Sequence, residues 1–233
     1  NITLGNVTAT DVSIDSDGGD LINAADSTLN VTATNLRLQA QGAIGTSDRH
    51  LTTDIANLSA LAETGSIFVT ETNAVTVRDV AVSITEFNAD ATTTAVTDAA
   101  QSDLTTEATG AGNGDIVLVA TAGDITLNDG ADADGLAVSA NGSGNVLLDA
   151  AAGSLTANGD IVSGTGHLTL KAQNDITLND GVNVATATAG TISLNAATGA
   201  ITMAGGTNIT ATGSSARLAA QSNITLGNVT ATD

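Results

Sequence analysis

Apolar residues alternate with polar ones in short bursts that follow Gly, Asn or Ser. The clearest pairs are Ile116/Leu118, Val146/Leu148, Leu168/Leu170, Ile192/Leu194 and Ala216/Leu218. Alternation with a period of two is the signature of a strand with one buried face. Val12/Ile14, Leu36/Leu38, Leu58/Ala60 and Val82/Ile84 fill the same slot earlier in the chain, so successive slots lie 24, 22, 24, 34, 30, 22, 24 and 24 residues apart. A second set of apolar positions follows most slots after a turn rich in Gly, Asn, Asp or Ser: Ile44, Ile67/Val69, Ile125/Leu127, Leu155/Ala157, Ile176/Leu178, Ile201/Met203 and Ile224/Leu226. A weaker third set comprises Val7, Val31, Ile161, Val184, Ile209 and Val229. Each short repeat therefore reads as three short strands.

Strands this short bury their apolar face only if the next repeat stacks on top and each inward residue meets its equivalent. The fold predicted is all-β, a single-stranded parallel β-helix or β-solenoid with coils of 22–24 residues. Its core should contain one vertical column built from Val12, Leu36, Leu58, Val82, Ile116, Val146, Leu168, Ile192 and Leu218. Arg37, Arg217 and Lys171 fall on the opposite phase or just after an inward residue, so they should point outward. Helical repeats would need three- and four-residue apolar spacing and far fewer Gly, Thr and Asn.

A longer period encloses the short one. NITLGNVTATD at 1–11 recurs unchanged at 223–233, an interval of 222 residues. About nine coils then make one long repeat, with 1–222 as one unit of a continuous solenoid and 223–233 as the start of the next. The two long intervals predict insertions at about 87–110 and 129–143, since turns lengthen at little cost while strands must keep register. The chain opens on Asn1 with no signal-like run, so an export signal is expected outside this segment.

Composition narrows the chemistry. Only 42% of the chain is hydrophobic and two residues, Phe68 and Phe87, are aromatic, so any interior is packed with small and branched aliphatic side chains. A net charge of −20 argues against nucleic acid and anionic membranes as partners, and no apolar run is long enough to insert into a bilayer. Parallel β-helices do carry sugar-cleaving enzymes. Here the aromatic surface is missing and the two histidines, His50 and His167, stand in separate coils, so no catalytic set assembles and the chain reads as a non-enzyme.

Calcium is the one cofactor the sequence suggests, and none is required. Asp15, Asp17 and Asp20 in DSDGGD and Asp129, Asp132 and Asp134 in DGADADG set alternating carboxylates around a glycine-rich turn, as a hard cation needs. The competing reading of both is a solvated acidic turn. Thr-Ala-Thr at 8–10, 32–34, 186–188, 210–212 and 230–232 raises ice binding as a remote alternative, although its spacing is irregular and Thr is simply a favourable strand residue.

GDITLNDG at 123–130, NDITLNDG at 174–181 and GTISLNAATGAITMAG at 190–205 resemble the coils of filamentous-haemagglutinin-like adhesins and other giant bacterial β-strand-repeat surface proteins. The resemblance implies a secreted or surface-anchored stalk, located outside the cell, that continues end to end with further copies of itself, pairs laterally in some cases, and meets a host or neighbouring-cell surface. The rival reading is an adhesive module whose inserted loops bind a glycan, a receptor or a mineral surface.

Overall fold

The computed structural model describes residues 1–107 and 114–232. It is all-β, with mostly parallel strands stacked in long sheets, an arrangement consistent with a β-solenoid. No helix among the described residues is long and apolar enough to cross a membrane.

One sheet has nine strands, ending in the run Ile67–Glu71, Ile116–Ala120, Val146–Ala150, Leu168–Ala172, Ile192–Ala196 and Ala216–Ala220. Ile67, Ile116, Val146, Leu168, Ile192 and Ala216 follow one another in register, as do Val69, Leu118, Leu148, Leu170, Leu194 and Leu218. Burial alternates along each of these strands up to Ile192–Ala196, so the interior is filled mainly by Ile, Leu, Val and Ala, while the outward positions hold Thr70, Asp149, Thr169, Lys171, Ser193 and Asn195 together with Phe68, Val117, Val119 and Leu147. Each fully buried Leu or Ile contributes about 1.5–3 kcal/mol relative to exposure, which is how a chain so poor in aromatics assembles a continuous core.

The second sheet has fifteen strands and forks. Asp11–Ser16, Asn35–Ala40 and Asn57–Ala62 stack as long strands, after which Asn57 and Leu58 pair with Thr76 and Val77 while Ala60, Leu61 and Ala62 pair with Leu104, Thr105 and Thr106. One branch continues through Ile125–Leu127, Leu155–Ala157, Ile176–Leu178, Ile201–Met203 and Ile224–Thr225. The other continues through Leu136–Ala140, Asp160–Ser163, Asn183–Thr186, Asn208–Thr212 and Asn228–Thr232.

The single column predicted from the sequence is therefore two. Val12, Leu36 and Leu58 align in the forked sheet, whereas Ile116, Val146, Leu168 and Ile192 align in the nine-stranded sheet, with Leu218 one position pair further on against Leu194. Val82 belongs to neither ladder. It lies on Val80–Phe87, which pairs antiparallel with Thr93–Gln101 to form a hairpin. Alternation reports inside against outside but not which wall of the core a strand joins, and a hairpin strand alternates just as a ladder strand does.

The hairpin also corrects the boundaries of the first insertion, since the excursion starts at Val80 rather than near 87; the part of the predicted insertion at 108–113 lies outside the described residues. In the second, the chain leaves after Ile125–Leu127 and is back in the ladder at Leu136–Ala140, so 129–143 comprises a loop, a ladder strand and the start of the turn that follows it.

The hairpin lies over the outer face of the long strands. Val80 and Val82 are buried against it, and the Gln101 side-chain amide donates to the Leu38 carbonyl at 2.9 Å. Arg37 is consequently only 9% exposed, although it is on the outer phase; its guanidinium donates to Gln39 Oε1 and sits 3.6 Å from Asp15. Lys171, 3.8 Å from Asp149, and Arg217 are exposed as predicted. Phe87 at the hairpin tip is 76% exposed and supports nothing beneath it. Phe87→Ser should therefore shift the denaturation midpoint by no more than about 0.5 kcal/mol equivalent, read by urea titration.

Turns lock the layers together. Gly65, Gly114, Gly144, Gly166 and Gly190 stack so closely that a Cβ on each of the last four would lie 1.9–2.1 Å from the carbonyl oxygen of the glycine below. Side-chain amides form ladders along the same direction: Asn158 Nδ2 donates to Asn128 Oδ1 at 2.7 Å, and Asn208 Nδ2 to Asn183 Oδ1 at 2.9 Å. Many acids act similarly. Asp115, Asp124 and Asp175 each accept a backbone N–H from the next layer, those of Asn145, Ser154 and Ala200, all at 2.7 Å. Part of the negative charge is thus explained by turn geometry, because a carboxylate satisfies a backbone donor that the turn leaves unpaired.

Candidate metal centre

Asp103 is the residue through which the chain leaves the hairpin and enters the strand Leu104–Thr106. Its φ of 66° is left-handed, a conformation Asp tolerates better than most residues, and its backbone carbonyl accepts the Ala60 N–H at 2.9 Å. That places the side chain beneath the loop that follows Ile125–Leu127. The loop is shaped by Ala133 and Gly135, with φ of 53° and 88°, and by an Asx turn in which the Leu136 N–H donates to Asp134 Oδ1 at 2.7 Å.

One carboxylate oxygen from each of Asp103, Asp132 and Asp134 lies within 4.8 Å of the others. Asp132 and Asp134 are exposed, while Asp103 is only 4% exposed. Oδ1 of Asp103 is buried without a hydrogen-bond partner among the described residues, and so is Oδ1 of the neighbouring Asp129. Burial pushes the Asp103 carboxyl up to about 7, and the charges of Asp132, Asp134 and Asp129 add to the shift.

Of the sequence-predicted set, Asp132 and Asp134 converge, Asp129 adjoins them, and Asp103 was missed. DLTT at 103–106 carries no metal-like spacing, and only the return of the hairpin brings Asp103 under the loop. The other predicted set is dispersed. The Asp15 carboxyl is raised by burial and by the nearby charge of Asp17 against the opposing pull of Arg37. Asp20 instead turns to the next layer, where its Oδ1 accepts the Ala43 N–H at 2.8 Å. No other set of three acids or histidines among the described residues converges as Asp103, Asp132 and Asp134 do.

A second carboxylate of note is Glu71, fully buried at the end of Ile67–Glu71. It accepts from the Thr53 hydroxyl at 2.6 Å and from the N–H groups of Ile55 and Asn73 at 3.2 and 3.0 Å. Burial holds its carboxyl above the usual range against these bonds. The histidines do not approach either carboxylate by hydrogen bond. His50 contacts the Thr70 hydroxyl at 2.8 Å and the Phe68 ring at 5.5 Å, with its pKa lowered by burial, and His167 accepts the Thr191 N–H at 3.0 Å.

The Thr-Ala-Thr tripeptides do not line one surface. Thr8 and Thr32 pair in the nine-stranded sheet, Thr210 and Thr230 pair in the forked sheet, and Thr186 is buried with its hydroxyl donating to the Gly190 carbonyl.

Scans against protein-family models, curated proteins and solved structures find no match to this chain.

Proposed function

We propose that the chain is a non-catalytic stalk segment of a giant secreted or cell-surface protein, built as a single-stranded parallel β-helix of about nine coils of 22–24 residues for each 222-residue repeat. The observation that carries the reading is the stacking in register of like residues through successive layers, with Ile67, Ile116, Val146, Leu168, Ile192 and Ala216 in one column and Val75, Ile125, Leu155, Ile176, Ile201 and Ile224 in another, so that each layer offers the next an equivalent apolar row and an equivalent line of backbone groups. Stacking at about 4.8 Å per coil makes length proportional to repeat number, roughly 43 Å per nine coils.

The test is a series of one, two and three 222-residue repeats measured by small-angle scattering. A stalk lengthens by roughly 43 Å per added repeat at constant cross-section. Repeats that instead collapse into beads of growing width sink the proposal.

The exposed Ile84 and Phe87 on the hairpin favour a second reading, an adhesive module that binds a glycan, receptor or mineral surface through this projection. Replacing Asn88–Thr92 and both exposed apolar residues separates the two. The stalk reading expects adhesion of cells displaying the variant to match the wild type, and the adhesive reading expects it to be lost.

A further inference from the structure

We propose that Asp103, Asp132 and Asp134 form a calcium site that ties the exit of the hairpin to the loop of the layer above it. Three carboxylate oxygens within 4.8 Å of one another match the spacing around a single hard cation, and the all-oxygen set excludes metals that demand nitrogen or sulfur. Acidic turns are common on this chain, and several of them, those of Asp20, Asp115, Asp124, Asp160 and Asp175, use their carboxylates to cap backbone donors. Asp103 differs because it is nearly enclosed and its Oδ1 has no partner among the described residues. A buried carboxylate oxygen with no donor beside it is costly, and a divalent ion supplies the missing interaction together with the charge that three clustered acids lack. Asp129, whose own Oδ1 is buried and unpaired, stands next to the cluster as a fourth acid.

Calcium is favoured over magnesium because two of the three ligands sit on an irregular loop that cannot impose a rigid octahedron, and the exposed side leaves room for waters to complete six to eight oxygens. The site stands independently of the stalk reading, since it concerns how the hairpin is held and not what the fibre carries. Bound calcium would connect Asp103, at the foot of Thr93–Gln101, to the loop preceding Leu136–Ala140, two segments about 30 residues apart in sequence.

The experiment is equilibrium dialysis of the EDTA-stripped chain with radioactive calcium in about 0.15 M KCl, which suppresses diffuse association with the acidic surface. The wild type is expected to take up one saturable calcium, with half-occupancy in the range of about 10⁻⁴ to 10⁻³ M for a partly solvated loop site. Asp103→Asn, which keeps the shape and tolerates the left-handed backbone, should reduce affinity at least tenfold. The Asp132→Asn/Asp134→Asn double variant, altered only at exposed positions, should do the same, and Asp180→Asn should match the wild type. Saturable uptake that is absent from the wild type, or that survives in both the Asp103 and the double variant, overturns the proposal.

Discussion

Gly166→Ala is expected to destabilise the protein by about 3 kcal/mol, the upper end of what inserting a methyl into a filled space costs. The new Cβ would lie 2.0 Å from the Gly144 carbonyl oxygen and 2.5 Å from its carbon. Both are backbone atoms, so no side-chain rotation relieves the contact. Separation of the layers is the only escape, and it would stretch the ladder between Val146–Ala150 and Leu168–Ala172 that begins two residues later. Gly205→Ala is the control: nothing lies within 4 Å of its Cβ position, and the change should be neutral within about 0.5 kcal/mol. Urea denaturation followed by circular dichroism compares the two, and equal midpoints would mean that the glycine column is not closely packed.

Glu71→Ala should cost a similar amount, about 3 kcal/mol, for a different reason. The core has room for alanine there, since Ala120, Ala150, Ala172 and Ala196 continue the same column through the following layers. What is lost is the acceptor for the Thr53 hydroxyl and for the Ile55 and Asn73 N–H groups, and each donor left buried without a partner costs about 1–3 kcal/mol. Glu71→Gln keeps one acceptor oxygen and should lose less. It also isolates a pH effect. Because the folded carboxyl is raised above its unfolded value of 4.5, the contribution of Glu71 to stability is fully present below that value and is lost as pH rises through the raised one. Stability of the Gln variant should therefore improve relative to the wild type as pH rises from about 4 towards neutrality and beyond. A constant difference across that range would show that burial does not perturb Glu71.

Part of this site chemistry was legible. Glu71 occupies the inward phase set by Ile67 and Val69, so an interior acid could have been read from alternation alone. Asp132 and Asp134 were visible as a DGADADG turn. Asp103 was not, because its partners come from a loop in another layer and nothing local distinguishes it from other turn acids. The hairpin was displaced for a related reason. Val82 and Ile84 repeat the apolar alternation of ladder strands, and only their antiparallel pairing with Asp98 and Val96 removes them from the column. Arg37 lies on the outer phase as its position implies, yet it is covered because the hairpin returns across that face.

The undecapeptide shared by both ends separates what local sequence decides from what the fold decides. In its first copy Ile2–Leu4 pairs with Leu21–Asn23 and Val7–Thr8 with Val31–Thr32, the latter in the nine-stranded sheet. In its second copy Ile224–Thr225 pairs with Ile201–Met203 and Asn228–Thr232 with Asn208–Thr212, both in the forked sheet. Ile2, Thr3, Val7 and Thr8 and their counterparts Ile224, Thr225, Val229 and Thr230 are strand residues in both places, since β-branched side chains favour the extended backbone wherever they stand. Which wall they join is fixed by the strand each copy meets in the adjoining layer, Leu21–Asn23 and Val31–Thr32 for the first and Ile201–Met203 and Asn208–Thr212 for the second. The sequence alone thus determined strands, layers and inside against outside; stacking alone decided the columns, the fork, the covered face of Arg37 and the meeting of Asp103 with Asp132 and Asp134.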